Sequence, residues 1–172
     1  MVLRGLLRGD PHAVSRRQRR AFVFCRNCAV WEGPARRITP KGHCVDTDRV
    51  RVRIAIEANN YMQANTVRIG TPSEVVGHYN GYSLDGKLVF RLTDEVYTLA
   101  GEKATLFSGI AWPISDHVIV YCGSRTLRGG RTHYKEIITL VSDDQRVRTT
   151  QPFGNGVYSH VTMIEEWRQT GS

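Results

Sequence analysis

The chain has 172 residues, of which 41% are hydrophobic and 23% are charged, and its formal net charge is +8 at pH 7. This length and composition are typical of one soluble domain with a sizeable core. No apolar run approaches the roughly 18 residues of a membrane-spanning helix, and Arg and Asp interrupt the first residues too often for a secretory signal. The sequence therefore predicts a cytoplasmic protein without a membrane span.

The positive charge is concentrated at the start of the chain. Residues 1–20 contain six Arg and one Asp, for a net charge of +5, whereas the remainder contains 18 basic and 15 acidic residues, for +3. We predict that residues 1–20 form a basic arm, disordered or weakly helical, and that residues 21–172 form the domain. Contact with nucleic acid or an acidic membrane through this arm is an alternative, as is an organelle transit peptide. Nucleic acid is not the partner we expect.

After residue 29 the chain alternates short apolar runs with turn residues, which is typical of an all-β protein. Arg49–Ile56 shows this most clearly, because Val or Ile occupies every second position and Arg occupies most of the positions between them. Asp85–Gly86 favours a tight hairpin turn, and residues 94–103 are predicted as a further short strand and a turn. The predicted strands are Val30–Ile38, Cys44–Glu57, Tyr61–Ile69, Ser73–Leu84, Lys87–Thr93, Ala104–Ile114, His117–Arg125, Thr132–Val141, Arg146–Pro152 and Val157–Arg168.

These elements predict a single antiparallel up-and-down β-barrel of about eight to ten strands. Consecutive hairpins favour a meander, and a meander of this length avoids exposed edges by closing on itself. A barrel of this size can hold one small ligand. Glycines inside strands mark bends or bulges, which barrels need; here they are Gly77, Gly81, Gly109 and Gly123.

The two ends of the predicted barrel resemble the calycin superfamily, the lipocalin-like and fatty-acid-binding-like barrels. Trp31 stands where those barrels have a Trp near the start of the first strand. Arg168, after Trp167, stands where they have a basic residue that packs over that Trp. Ala29 stands where lipocalins usually have Gly, and the other lipocalin motifs are not evident. The resemblance implies a barrel around a ligand cavity and does not name the ligand.

Several predicted strands carry polar side chains on the same face as apolar ones, as a cavity lining would. The candidate ligand-binding residues are Tyr61, Gln63 and Asn65 in one strand, His78 and Tyr82 in the next, Tyr134, and His160. On the strand that carries His78, Tyr79 is assigned to the opposite face with Gly77 and Gly81. The alternative interpretation is that these polar faces point outward, or that they are satisfied hydrogen-bonding groups in the core.

Cys25 and Cys28 form a lone CxxC pair, and Cys44 follows further along the chain beside His43. A structural zinc ion takes four ligands, so these three cysteines are the candidates for a metal site. Reduced thiols with no metal are the interpretation that we favour, and we expect no cofactor.

Three functions are compatible with this sequence. The favoured one is a binding module that holds a small apolar or amphipathic ligand, with a polar or anionic end, inside the barrel. The second is a cyclase, isomerase or lyase in the same barrel, with Glu136 and His160 as the candidate acid–base groups. The third is nucleic-acid or partner binding through the basic arm. The sequence leaves the oligomeric state open, including a homodimer.

Overall fold

The structure is a computed structural model that describes residues 23–93, 96–98, 101–127, 130–154 and 157–170. The arm predicted at residues 1–20 lies outside these described residues. A helical turn at residues 23–26 precedes the strands. In the part of the chain that is described, no helix has the length and apolar character needed to cross a membrane.

Among the described residues, twelve β-strands follow the helical turn, and most of them have the predicted positions. The strands are β1 (Val30–Ile38), β2 (Cys44–Glu57), β3 (Asn60–Val67), β4 (Val75–Leu84), β5 (Lys87–Thr93), β6 (Val96–Tyr97), β7 (Lys103–Pro113), β8 (Val118–Leu127), β9 (Gly130–Leu140), β10 (Gln145–Gly154), β11 (Val157–Tyr158) and β12 (Val161–Arg168). The last predicted strand is divided into β11 and β12, with Ser159 and His160 between them.

Ten of these strands form a closed antiparallel barrel. Each of them pairs with the next barrel strand along the chain, in the order β1 to β5, β7 to β10 and β12. Strand β12 then pairs with β1, with Trp31 opposite Arg168 and Ala35 opposite Ile164, which closes the circle. Strand β6 pairs with β7, and β11 pairs with β10. The predicted all-β, up-and-down barrel is confirmed.

Strand β2 shows why the alternating sequence produces a closed barrel. Val50 and Val52 are each 1% exposed and Ile54 is also buried, whereas Arg51 and Arg53 face the solvent. Successive side chains of a strand lie on opposite faces, so the Val and Ile face fills the interior. Burial of apolar surface of this kind contributes roughly 25 cal/mol per Å².

The two ends of the barrel differ, and we name them by the residue of β1 that lies at each. The Trp31 end contains the hairpins that join β2 to β3, β4 to β5, β7 to β8 and β9 to β10. It also holds residues 23–27, of which Val23, Phe24 and Asn27 are buried. The Arg37 end contains the connections from β1 to β2, β3 to β4, β5 to β7, β8 to β9 and β10 to β12.

Candidate functional site

The barrel encloses a cavity of about 260 Å³. Ligand pockets typically measure about 300–1,000 Å³, so this cavity suits a small molecule or the apolar part of a larger one. Phe24 and Asn27 contribute to its lining from the segment before β1. The apolar part of the lining includes Val50, Val52, Val67, Leu88 and Ile119.

Trp31 and two arginines close one end of the barrel. The guanidinium carbon of Arg146 lies 4.7 Å from the centroid of the Trp31 ring, and that of Arg168 lies 4.8 Å from it. The indole Nε1 donates a hydrogen bond of 2.8 Å to the backbone oxygen of Asn27. Arg168 also donates to the backbone oxygen of Arg26 at 2.8 Å. The packing of a basic residue over Trp31 therefore joins the end of β12 to the segment before β1.

A buried carboxylate, Glu166, holds two arginines beneath this closure. Its Oε2 accepts from Arg146 Nε at 2.6 Å and from Arg148 Nε at 2.8 Å, and its Oε1 accepts from Arg148 Nη2 at 2.9 Å. Burial alone would raise the pKa of Glu166, but Arg148 and Arg146 hold it below its ordinary value. The carboxylate is therefore ionised, and its charge-assisted bonds satisfy both of its oxygens.

Glu136 extends this ionic network to the cavity. Its Oε2 accepts a hydrogen bond of 2.6 Å from the Thr150 hydroxyl and lies 3.6 Å from Arg148 Nη1. Burial alone would lower the pKa of Arg148, but Glu166 and Glu136 together hold it above its ordinary value. Arg148, Glu136 and Thr150 all line the cavity, so the network forms a charged but internally compensated part of its wall.

Six aromatic rings, which we call the aromatic cluster, pack together beside this network. Phe90 meets Tyr61 edge to face at 5.4 Å between centroids and meets Tyr121 in the same way at 5.0 Å. Burial raises the pKa of each of the four tyrosines. Their hydroxyls are therefore neutral and can both donate and accept hydrogen bonds. The aromatic cluster consists of Tyr61, Tyr79, Phe90, Phe107, Tyr121 and Tyr134.

Two glycines make room for the Tyr121 ring. Gly109 of β7 and Gly123 of β8 lie directly opposite each other, and a Cβ atom on either would overlap the Tyr121 hydroxyl. The ring therefore lies over the backbone of both strands and brings its hydroxyl to 3.2 Å from that of Tyr134. The sequence predicts bends or bulges at these glycines. The structure shows in addition that both glycines make room for the Tyr121 ring.

A ladder of polar side chains runs along the inner face of β3. The Tyr61 hydroxyl donates to Gln63 Oε1, and Gln63 Nε2 donates to Asn65 Oδ1 at 2.8 Å. The three residues line the cavity because they occupy alternate positions of one strand. Such groups can orient the polar part of a bound molecule.

The Arg37 end of the cavity carries cationic side chains whose donors are incompletely satisfied. Nε of Arg37 and Nε of Arg125 are both buried and have no hydrogen-bond partner among the described residues. Arg37 lies 3.4 Å from an Asp46 carboxylate oxygen, and the Arg125 guanidinium lies 5.2 Å from the centroid of the Tyr134 ring. Burial, then Arg37 and Arg125, lower the pKa of His160. All but Asp46 line the cavity.

The structure brings most of the predicted site residues into one cavity. Its lining includes Tyr61, Gln63, Asn65, Tyr134, Glu136 and His160. His78 and Tyr82 do not line it, since His78 is exposed and Tyr82 faces outward, where Arg91 lies 5.9 Å from its ring. In β4 it is Gly77, Tyr79 and Gly81 that face the interior, so the assignment of faces in this strand is corrected. Both faces of β4 carry polar or small residues, and hydropathy therefore cannot distinguish them.

The cysteines do not form a common site. Cys25 and Cys28 lie before β1 at the Trp31 end, whereas Cys44 begins β2 at the Arg37 end. The nine residues of β1 separate them, which is roughly 25–30 Å at about 3.3 Å per residue. One ion therefore cannot bind all three thiols. Burial, and then neighbouring Cys25, raise the pKa of the Cys28 thiol to about 11, which keeps it protonated.

Sequence reasoning missed several residues of the cavity. The sequence pattern places Tyr79 on the face opposite His78, and it does not indicate that Arg37, Arg125, Arg148 and Tyr121 face the interior. For Tyr121 a signal existed, because Gly109 and Gly123 indicated backbone positions where another group approaches closely. The arginines gave no such signal, because their partners come from distant strands.

Two solved structures have similar folds over most of this chain. A protein of unknown function of the DUF3598 family from Nostoc punctiforme aligns over 84% of this chain and 48% of its own, with 14% identity and a TM-score of 0.62. The chain thus spans about half the length of that protein. The S-type phycobiliprotein lyase CPES from Guillardia theta aligns over 87% of this chain and 92% of its own, with 9% identity and a TM-score of 0.52.

No protein-family model matches the chain, and no curated protein matches it. At identities this low, the structural similarities establish the fold alone. They agree with a calycin-like antiparallel barrel, which is the architecture that the Trp31 and Arg168 positions implied.

Proposed function

We propose that this protein is a small-molecule binding protein that holds a largely apolar ligand, with a polar or anionic end, inside its barrel. The observation that carries the proposal is the cavity of about 260 Å³, whose lining combines aromatic and aliphatic side chains with polar and charged ones. Binding sites for small molecules combine mostly apolar walls with a small number of positioned polar groups. The lipocalin-like part of the calycin resemblance belongs to this proposal, and the Trp31–Arg168 packing supports it.

The polar groups of the cavity divide into two kinds, which suit different parts of a ligand. The ladder of Tyr61, Gln63 and Asn65 offers neutral donors and acceptors. The Arg37 end offers cationic donors with unused capacity. A molecule with an apolar body would bury apolar surface against the apolar walls, which is favourable. Its polar end would form hydrogen bonds with one of these two kinds of group.

The enzyme alternative receives less support from the contacts. Glu136 is engaged by Thr150 and Arg148, and His160 Nδ1 lies 2.9 Å from the Ser159 hydroxyl. A general acid or base must reach the proton that it transfers, and these contacts direct the two groups to structural neighbours. The similarity to a phycobiliprotein lyase concerns the fold and adds no residue-level argument for a lyase reaction.

Binding of an uncharged fluorescent probe, phenylnaphthylamine, tests the proposal. The full chain should bind it with saturation at one molecule per chain. Asn65→Phe places a ring in the cavity and should weaken binding about tenfold or more, because the ring occupies space that the probe needs. Thr66→Phe, on the outer face of the same strand, is the matched control and should bind as the parent does. If the parent does not bind the probe, or if both variants bind it equally, the proposal is wrong.

A further inference from the structure

The Arg37 end of the cavity contains one arginine whose environment is unlike that of every other inward-facing arginine described. Arg146 and Arg148 both donate to the Glu166 carboxylate. Arg125, in contrast, has no carboxylate partner among the described residues. Its Nε is also buried without a hydrogen bond, which it shares with Nε of Arg37 and Nη2 of Arg146. The ring of Tyr134 lies 5.2 Å from its guanidinium carbon and makes a cation–π contact with it.

An arrangement of this kind has an energetic cost. Arg125 is partly buried, and its inaccessible Nε loses hydration without the compensation that a hydrogen-bonded counter-charge would give. A cation–π contact returns only about 0.5–2 kcal/mol. Buried donors without partners in a folded protein are uncommon and call for an explanation, such as a group that binds there.

The charged side chains of the cavity lining are three arginines and two glutamates, for a net charge of +1, and one of the glutamates, Glu102, lies at the Arg37 end, where it precedes β7. The charged residues of the lining are Arg37, Arg125, Arg148, Glu102 and Glu136. Arg148 and Glu136 compensate each other within the buried network. Arg37 shares a partly exposed contact of 3.4 Å with Asp46, and its Nε remains unpaired. Arg37 and Arg125 therefore both have donors available, and both lie close enough to His160 to lower its pKa.

We infer that the ligand carries an oxyanion, a carboxylate or a phosphate, that Arg125 and Arg37 bind at the Arg37 end while its apolar body lies against the aromatic cluster. Guanidinium groups bind such oxygens through two parallel N–H donors. The Tyr134 ring holds the Arg125 guanidinium in place from one face. The inference rests on the proposed function, since it names the chemistry of a ligand in the same cavity.

A matched pair of probes tests this inference. Anilinonaphthalene sulfonate and phenylnaphthylamine share their ring system, and only the first carries an oxyanion. Arg125→Gln should weaken binding of the sulfonate probe by about 10- to 100-fold, as expected when a hydrogen bond to a charged group is lost. It should change binding of the uncharged probe less than about twofold. Arg37→Gln should act in the same direction, with a smaller effect because Asp46 already engages this residue.

Arg53→Gln is the control, because Arg53 is exposed on the outer face of β2; it should leave binding of both probes unchanged. Equal loss of both probes in Arg125→Gln, or no loss of either, would overturn the inference and leave the proposed function standing. If Arg125→Gln does not fold, Arg125→Lys replaces it in the test, because lysine keeps the positive charge but lacks the parallel N–H donors of the guanidinium. It should lose at least about threefold for the sulfonate probe only. Failure of both probes to bind the parent would overturn the inference and the proposed function together.

Displacement of the sulfonate probe from the parent distinguishes the two oxyanion sources. Naphthoate, naphthyl phosphate and naphthalenemethanol share one ring system and carry a carboxylate, a phosphate and no charge. Preferential displacement by naphthoate assigns a carboxylate ligand, and preferential displacement by naphthyl phosphate assigns a phosphate ester. Equal displacement by the uncharged alcohol would contradict an oxyanion site.

Discussion

The Trp31 end and the Arg37 end of the barrel both contain inward-facing arginines, but the surroundings of those arginines differ. At the Trp31 end, Arg146 and Arg148 are nearly inaccessible to solvent, and both donate to Glu166. At the Arg37 end, Arg125 has no carboxylate partner among the described residues, and Arg37 has a contact of 3.4 Å with the partly exposed Asp46. An unpaired buried donor is present at both ends, on Arg37 and Arg125 at this one and on Arg146 at the other, so the difference lies in the compensation of charge. The same residue type therefore stabilises the barrel where its charge is compensated and remains available to a ligand where it is not. This division is our reason for placing ligand recognition at the Arg37 end.

Removal of the charge on Glu166 should produce the largest change in stability. Glu166→Gln leaves Arg146 and Arg148 buried without their shared counter-charge, and loss of one partner of a buried pair costs about 3–5 kcal/mol. The free energy of unfolding in urea measures the change. Glu165→Gln is the matched control, because the Glu165 side chain is 34% exposed and its contact with Arg36 is a long one of 3.7 Å. This substitution should cost less than about 1 kcal/mol. Similar losses in the two variants would show that burial of the network is not what stabilises this end.

The next largest loss of stability should follow from substitution in the glycine pair Gly109 and Gly123, which lies between the two ends. Gly109→Ala would force the Tyr121 ring to move, and overpacking of this kind costs about 1–3 kcal/mol. The same displacement should disturb the aromatic cluster, so the near-ultraviolet circular dichroism of the tyrosines should change as well.

Gly154→Ala provides the comparison, because a Cβ atom there would meet nothing within 4 Å. It should leave both the free energy of unfolding and the near-ultraviolet spectrum close to those of the parent. A Gly109→Ala protein as stable as Gly154→Ala, with an unchanged spectrum, would mean that Tyr121 does not need the space that the glycines provide.

The sequence predicts the strands well because alternation and turns are local signals. It does not predict which polar residues face inward, and β2 and β10 show the reason. Both strands contain an Arg-Val-Arg run, yet in β2 the arginines Arg51 and Arg53 face the solvent, whereas in β10 Arg146 and Arg148 face the interior. What distinguishes them is Glu166, which comes from β12 and is adjacent to β10 only in the fold.

Part of the candidate site could be predicted for a related reason. Tyr61, Gln63 and Asn65 share one face of β3 with Val67. The apolar Val67 therefore identifies that face as the inner one. In β4 each face begins with a valine, Val75 on the inner face and Val76 on the outer, so no apolar neighbour distinguishes the inner face, where Gly77 and Gly81 flank Tyr79. The importance of Arg125 depends on the absence of a carboxylate beside it among the described residues, which only the three-dimensional arrangement reveals.

The most direct test of the division between the two ends compares Arg148→Met with Arg125→Met by urea unfolding. Both substitutions replace an inward-facing guanidinium of the cavity with an apolar side chain of similar length. Arg148→Met should lower the free energy of unfolding by about 3–5 kcal/mol, because it leaves Glu136 without its counter-charge and leaves Glu166 with Arg146 alone. Arg125→Met should leave it within about 0.5 kcal/mol of the parent or raise it. Equal losses in the two variants would contradict the account, because Arg125 would then serve stability as Arg148 does.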